Sequence, residues 1–245
     1  MTEQSIEWQR YNLQLPDGGS HYAETNMAQF IVEPWNALSS LLFLIPALYW
    51  AIKIRKQVKE NAFIAYCVPL LILGGLGSTL FHAFRTSSLL LLMDVLPILI
   101  LTLSVSTYFW QKIFNKWWLT TIVVAVGFIL RRLVVDIGYF PYHTAANISY
   151  AISGITIFLP ILIVLFKTNF QKGSVIFSSI LLFVLALTFR EMDAWELNFL
   201  PMGTHFLWHF CTAAGAYFIA RYIYIFPGFG TQSARLVPQE VEVKA

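Results

Sequence analysis

Apolar residues gather along this chain in seven long stretches, at 30–54, 62–84, 87–110, 117–136, 145–166, 174–190 and 203–226, with short polar segments between them. Crossing ~30 Å of hydrocarbon at ~1.5 Å of rise per residue takes roughly 20 mostly apolar residues, and each stretch comes near that length. The pattern predicts an all-α, polytopic membrane protein, a seven-transmembrane-helix bundle forming one domain over 30–226. Residues 1–29 are polar and lack the basic start and apolar core of a cleaved signal peptide, so the first helix is expected to serve as the insertion signal. Residues 227–245 mix Gly, Ser, Pro and charge and are expected to form a flexible tail. In the second stretch Gly74, Gly75 and Gly77 lie together, which permits either the close approach of a neighbouring helix or a kink. Trp35, Trp50, Trp110, Trp117, Trp118 and Trp195 fall near stretch ends, where an indole is expected at the headgroup boundary.

Composition strengthens this picture. The chain is 58% apolar and 12% charged, with a mean hydropathy of +0.65, which excludes an ordinary soluble domain. Both cysteines, Cys67 and Cys211, lie inside apolar runs, which excludes a thiolate metal cluster. The net charge of +3 does not point to nucleic acid, because the basic residues sit in short loops between spans. Sorted by side, eleven Lys and Arg fall on one face and five on the other: Arg10, Arg85, Arg131, Arg132 and Arg190. Positive-inside bias then predicts an N-terminus outside and a cytoplasmic C-terminus, in a bacterial inner membrane or a eukaryotic endomembrane.

Ionisable groups inside spans are costly and need partners, so their positions carry the chemistry. His82 ends the second span in GSTLFHAF, Asp94 lies early in the third in LLLLMDVLP, and His205 and His209 open the seventh in GTHFLWHF. Glu33 begins the first span in VEPWN, while Arg190, Glu191 and Asp193 close the sixth. The predicted orientation carries all of them to the non-cytoplasmic face. His205 and His209 are four residues apart and share a helix face, as do Ser78 and His82. Three imidazoles with an open fourth position make the ligand set of a catalytic zinc, which lowers the pKa of water towards ~7. Asp94 can take a proton from that water or orient a histidine, and Ser78 can donate to a developing oxyanion. Spacing alone also fits packed core histidines, a serine bonded to its own helix, and an interfacial ion-pair cluster at Arg190, Glu191 and Asp193.

Together, Ser78 and His82, Asp94 on the next helix, and the His205/His209 pair resemble the alkaline ceramidases of the CREST superfamily of membrane hydrolases. VEPWNALSS around Glu33, DVLP after Asp94 and HFCTAAGAY after His209 extend the resemblance. It implies zinc on His82, His205 and His209, help from Ser78 and Asp94, and hydrolysis of a long-chain lipid amide such as ceramide to sphingosine and a fatty acid. It also implies a calcium (Ca2+) site near the N-terminus, to which Glu24, Asn26 and Glu33 correspond. The family's Asp-Trp-Cys-Glu run is not reproduced beside Glu24; Glu7 and Trp8 form a distant echo. Two other readings stay open: a receptor-like zinc protein resembling the progestin and adipoQ receptors, and a membrane haem protein with histidine ligands.

Overall fold

The structure, a computed structural model, describes residues 15–195 and 199–226, and these are helical apart from turns and one extended N-terminal segment. Helix α1 spans Pro34–Ile54 with a 3-10 turn at Leu41–Phe43, followed by α2 (Ala62–Phe84), α3 (Ser88–Phe114) and α4 (Trp117–Asp136). Then come α5 (Tyr142–Lys167), α6 (Gly173–Met192) and α7 (His205–Ile225). Six helices among the described residues are long and apolar enough to cross a membrane, so this is a multi-pass integral membrane protein. The seventh, α7, has 21 residues, and its two histidines and small and aromatic polar residues lower its hydropathy below that of the others. The expected tail at 227–245, and Glu7 with Trp8, lie outside the described residues.

Helix ends match the apolar stretches closely, and the differences have local causes. Helix α3 runs one turn beyond its apolar stretch, and in that turn Lys112 folds back over the Tyr108 ring, 5.3 Å from its centroid. It stops at Asn115 in a left-handed conformation (φ 50). Helix α5 starts at Tyr142, directly after Pro141, whose fixed φ suits a helix start.

Short connections make consecutive helices antiparallel, and α7 closes the bundle by packing on α6 and on α1. The glycine cluster of α2 is a contact seam. A Cβ at Gly77 would run into the Met93 carbonyl of α3, and one at Gly74 would meet Ile98 Cδ1 at 2.5 Å. One at Gly75 would meet Phe43 of α1 at 2.9 Å, so these small residues let α2 lie against both neighbours at once. At the opposite end of the bundle Phe109, Ile161, Leu165, Ile176 and Tyr222 form a dry core. Of the tryptophans expected at the headgroup boundary, Trp35, Trp117, Trp118 and Trp195 are exposed. Trp50 and Trp110 are instead buried, Trp50 beside Tyr217 and Tyr224 and Trp110 stacked on Phe114, since each points inward from its helix.

Candidate metal centre

His82, at the end of α2, and His205 and His209, in the first two turns of α7, meet at one point inside the bundle. All three are buried, and each offers a ligand atom within 4.8 Å of the others. Ring centroids are 5.3 Å apart for His82 and His205, 5.0 Å for His82 and His209, and 4.7 Å for His205 and His209. The i, i+4 spacing thus puts both α7 imidazoles on the face that meets α2.

Local folding explains the orientation of His82. The chain before α1 lies along the end of α2, where Val32 N donates to Ala83 O (2.8 Å) and Glu33 N to His82 O (3.1 Å). Carbonyls that a helix end leaves without partners are satisfied this way. The same pairing brings the Glu33 carboxylate onto His82 Nδ1 in a short hydrogen bond. Glu33 is fully buried and also accepts from Thr25 Oγ1 at 2.6 Å and from Arg85 at 2.5 Å. Arg85 caps α2 in the left-handed region (φ 50), a conformation usually left to glycine. Its buried guanidinium also donates to Asp17 at 2.6 Å and 3.1 Å and to Ser20 O at 2.9 Å. Burial works against its charge, but the Asp17 hydrogen bonds and the Glu33 carboxylate hold its pKa above the usual arginine value.

The α7 histidines are set by different means. Ser39 Oγ lies 2.8 Å from His209 Nδ1 and 3.1 Å from Asn36 O, a chain in which Nδ1–H donates to the serine and the serine donates to the carbonyl. His205 is fixed through its backbone. Asp193 Oδ1 accepts from Thr204 N (2.7 Å) and His205 N (2.9 Å), capping the start of α7, while Oδ2 accepts from Ala23 N. Tyr22 stacks on the His205 ring at 3.9 Å, and burial pushes its phenol up, so it stays neutral.

These contacts show that the residues fit a metal. The bonds from Nδ1 of His82 to Glu33 and from Nδ1 of His209 to Ser39 fix the tautomer that leaves Nε2 with a lone pair. His205 Nδ1 is buried with no hydrogen-bond partner, as expected of a ring whose partner is an ion. A donor set of imidazoles alone, with no thiolate among the described ligands, suits zinc or another borderline divalent metal.

Asp94 stands on α3 at the Gly77 seam, within reach of the Ser78 hydroxyl, and both line the cavity that holds the triad. Ser78 is buried, with Ser40 Oγ 3.0 Å away. The cavity, about 230 Å3 in volume, carries Ser78, Asp94, Arg131 and Arg190 in its wall besides the histidines and sends a mainly apolar arm past Phe43 and Leu71 to Trp50 and Ile64. A profile of the ceramidase family matches residues 22–232, which take in all seven helices and every residue of the triad. The chain belongs to the ceramidase family. No curated protein matches it.

Membership of the ceramidase family implies amidohydrolase activity and a ceramide-like lipid substrate. The structure brings together His82, His205, His209, Ser78, Asp94 and Glu33. It does not gather the residues that the resemblance assigns to calcium into a set of free oxygens. Glu24 caps α1 by accepting from Trp35 N (2.6 Å) and Asn36 N (2.9 Å), and Asn26 Oδ1 accepts from Ala28 N. Glu33 is taken by His82 and Arg85, so the cation between the carboxylates of Glu33 and Asp17 is a guanidinium. A calcium ion needs six to eight oxygens, and these groups do not fit one as arranged.

The interfacial cluster expected at the end of α6 also divides differently. Arg190 and Asp193 are buried, because the segment carrying Tyr22 and Ala23 folds over them; Glu191 is exposed and accepts from Asn147 at 2.5 Å. Arg132 pairs with Asp136 on the outside, as a surface pair should. Arg85, Asp17 and Ser39 were not readable as site residues, and Asp193 was read only as a member of the interfacial cluster.

Proposed function

We propose that this protein is a zinc-dependent lipid amide hydrolase, cleaving a ceramide-like amide to a long-chain amine and a fatty acid. The observation that carries the reading is the buried triad, with oriented imidazoles, opening on an apolar cavity that also holds a carboxylate and a hydroxyl. Zinc on His82, His205 and His209 would supply a Lewis acid and a water acidic enough to attack at neutral pH. The chain's own groups do the rest. The apolar arm of the cavity binds the acyl chain and sets the amide carbonyl at the triad. Asp94 takes the proton from the attacking water and returns it to the leaving nitrogen, so that amide and water become amine and carboxylic acid. Ser78, close to Asp94, donates a hydrogen bond to the carbonyl oxygen as it gains charge. Glu33 keeps the His82 proton on Nδ1 throughout.

In this reading all seven helices cross the membrane, the N-terminus lies outside, and the triad end of the bundle faces the non-cytoplasmic side. A lipid then enters sideways from the outer leaflet. Metal analysis of the purified protein, combined with mass spectrometry after incubation with a panel of long-chain amides and esters, tests the activity. Zinc at one per chain with amide cleavage is expected; a metal-free protein that cleaves, or a zinc-loaded one inert on every lipid, contradicts the reading. Reporter tags at either terminus test the orientation, and a cytoplasmic N-terminus would place the site on the side used by the receptor-like relatives.

A further inference from the structure

We propose that Arg190 and Arg131 form an oxyanion subsite in the wall of the catalytic cavity, and that the lipid amide this protein cleaves carries a carboxylate on its amine side. The inference rests on the amidase reading above and replaces the neutral long-chain amine half of its substrate with one that bears an acid.

Arg190 is 3% exposed near the end of α6 and lines the same cavity as His205, His209 and Asp94. A guanidinium has five N–H donors and keeps its charge at any physiological pH. Here Nε donates to Asn147 Oδ1 at 2.7 Å, while the terminal nitrogens reach only hydroxyls, Tyr22 at 3.3 Å and Ser20 at 3.5 Å. That occupies three of the five donors, the last two weakly. Its charge rests against rings, Tyr150 at 4.9 Å and Trp208 at 5.7 Å. Among the described residues no carboxylate forms an ion pair with it. Asp193 is close in sequence, but its oxygens are taken by the backbone N–H groups of Ala23, Thr204 and His205.

Arg131, near the end of α4, adds a second guanidinium to this cavity. Its Nε donates to Ser149 Oγ at 2.9 Å and it too lies over Tyr150. Against these two cations the described lining offers one acidic side chain, Asp94, which the reaction itself uses. Arg190 is buried and Arg131 half-buried; Asp193 and Asp94 act on Arg190 only at longer range, no carboxylate among the described residues pairs with its spare donors, and a bound oxyanion is the natural complement. A structural peg for Asn147 and Tyr22 needs no charge, and it does not account for a second guanidinium in the same wall.

Position assigns the anion to one half of the substrate. The apolar arm leads away from the triad toward the other end of the bundle and takes the acyl chain. Both arginines stand near the helix ends at the triad's own end, where the leaving amine must lie. A neutral headgroup there leaves their spare donors unpaired, whereas a carboxylate can engage a guanidinium through two parallel hydrogen bonds.

The test compares N-hexadecanoylglycine with N-hexadecanoylethanolamine, which share an acyl chain and differ in the acid, on purified zinc-loaded full-length protein. The glycine amide should have the higher kcat/KM by at least about tenfold, and Arg190→Gln should bring the ratio close to one. Arg131→Gln should lower the ratio in the same sense, and it keeps the test open should Arg190→Gln fail to fold. Equal turnover of the two amides by the unmodified protein, or an equal loss on both in each variant, overturns the proposal. Thermal unfolding with each amide reads binding without catalysis. If neither amide is cleaved, the amidase reading falls. The subsite then stands if the glycine amide alone raises Tm and the variants lose that rise, and it falls if neither amide does. Stabilisation by free hexadecanoate as large as that by the glycine amide shows capture of the released acid, and overturns the assignment to the amine side.

Discussion

The three histidines and Asp94 face one cavity from helices in different surroundings. The apolar windows of α1 and α2 are 44% and 33% buried inside the protein, whereas that of α3, which carries Asp94, is 6% buried. On the histidine side, each imidazole is oriented by a further group: Glu33 for His82, Ser39 for His209, and Asp193 through the backbone of His205. On the aspartate side the carboxylate has the Ser78 hydroxyl of the neighbouring helix within reach, and it is placed there by how closely α3 lies along the glycines of α2. Hydrogen bonds therefore fix the ligand set, and helix spacing fixes the group that moves protons. Metal retention and turnover should fail separately.

The largest effect is expected for His209→Ala, which removes a ligand. Metal content should drop to background and hydrolysis by on the order of a thousandfold or more, with the protein still inserted in membranes. Full activity in that variant would sink the metal assignment. Asp94→Asn should lower kcat by about 10^2- to 10^4-fold at unchanged metal content, the clearest separation of the two sides. Loss of metal together with turnover would make Asp94 part of the ligand scaffold. Glu33→Gln should act the other way round, weakening metal affinity by about 10- to 100-fold in a chelator competition. Gly77→Ala presses on the Met93 carbonyl and moves Asp94 away. We expect about a tenfold fall in turnover with metal affinity intact. Smallest of all is calcium: with zinc held constant, added calcium should change neither rate nor Tm beyond about twofold and a degree, because Arg85 already neutralises Glu33 and Asp17. A strong calcium dependence would show that these side chains rearrange.

The helices were legible because a bilayer leaves the backbone few choices, so apolar length translates almost directly into element boundaries. The triad was legible through the resemblance: spacing puts His205 and His209 on one face but also fits packed core histidines, and the family pattern joined His82 to them. What lay hidden depends on how the polar segment before α1 folds. Arg85 meets Asp17 from 68 residues away, and nothing in local periodicity points from one to the other. Arg190 reads as an interfacial charge only while Tyr22 is not known to cover it. Trp50 reads as a belt residue until its helix is rotated by its packing on Tyr217 and Tyr224. Glu33 was placed with the calcium residues by resemblance, and its hydrogen bond to His82 came from the pairing of residues 32–33 with the end of α2.

The contact between Glu33, His82 and Arg85 also bears on how the protein is made. All three residues lie at the ends of α1 and α2, whereas His205 and His209 arrive only after four more helices have been synthesised. During that interval a buried carboxylate and imidazole must wait in the membrane without a metal. Arg85 emerges with them and supplies a positive charge at once, so the early hairpin can be stored safely. A metal held by all three histidines, as proposed, could be captured tightly only once α7 docks, which would make its loading a late event.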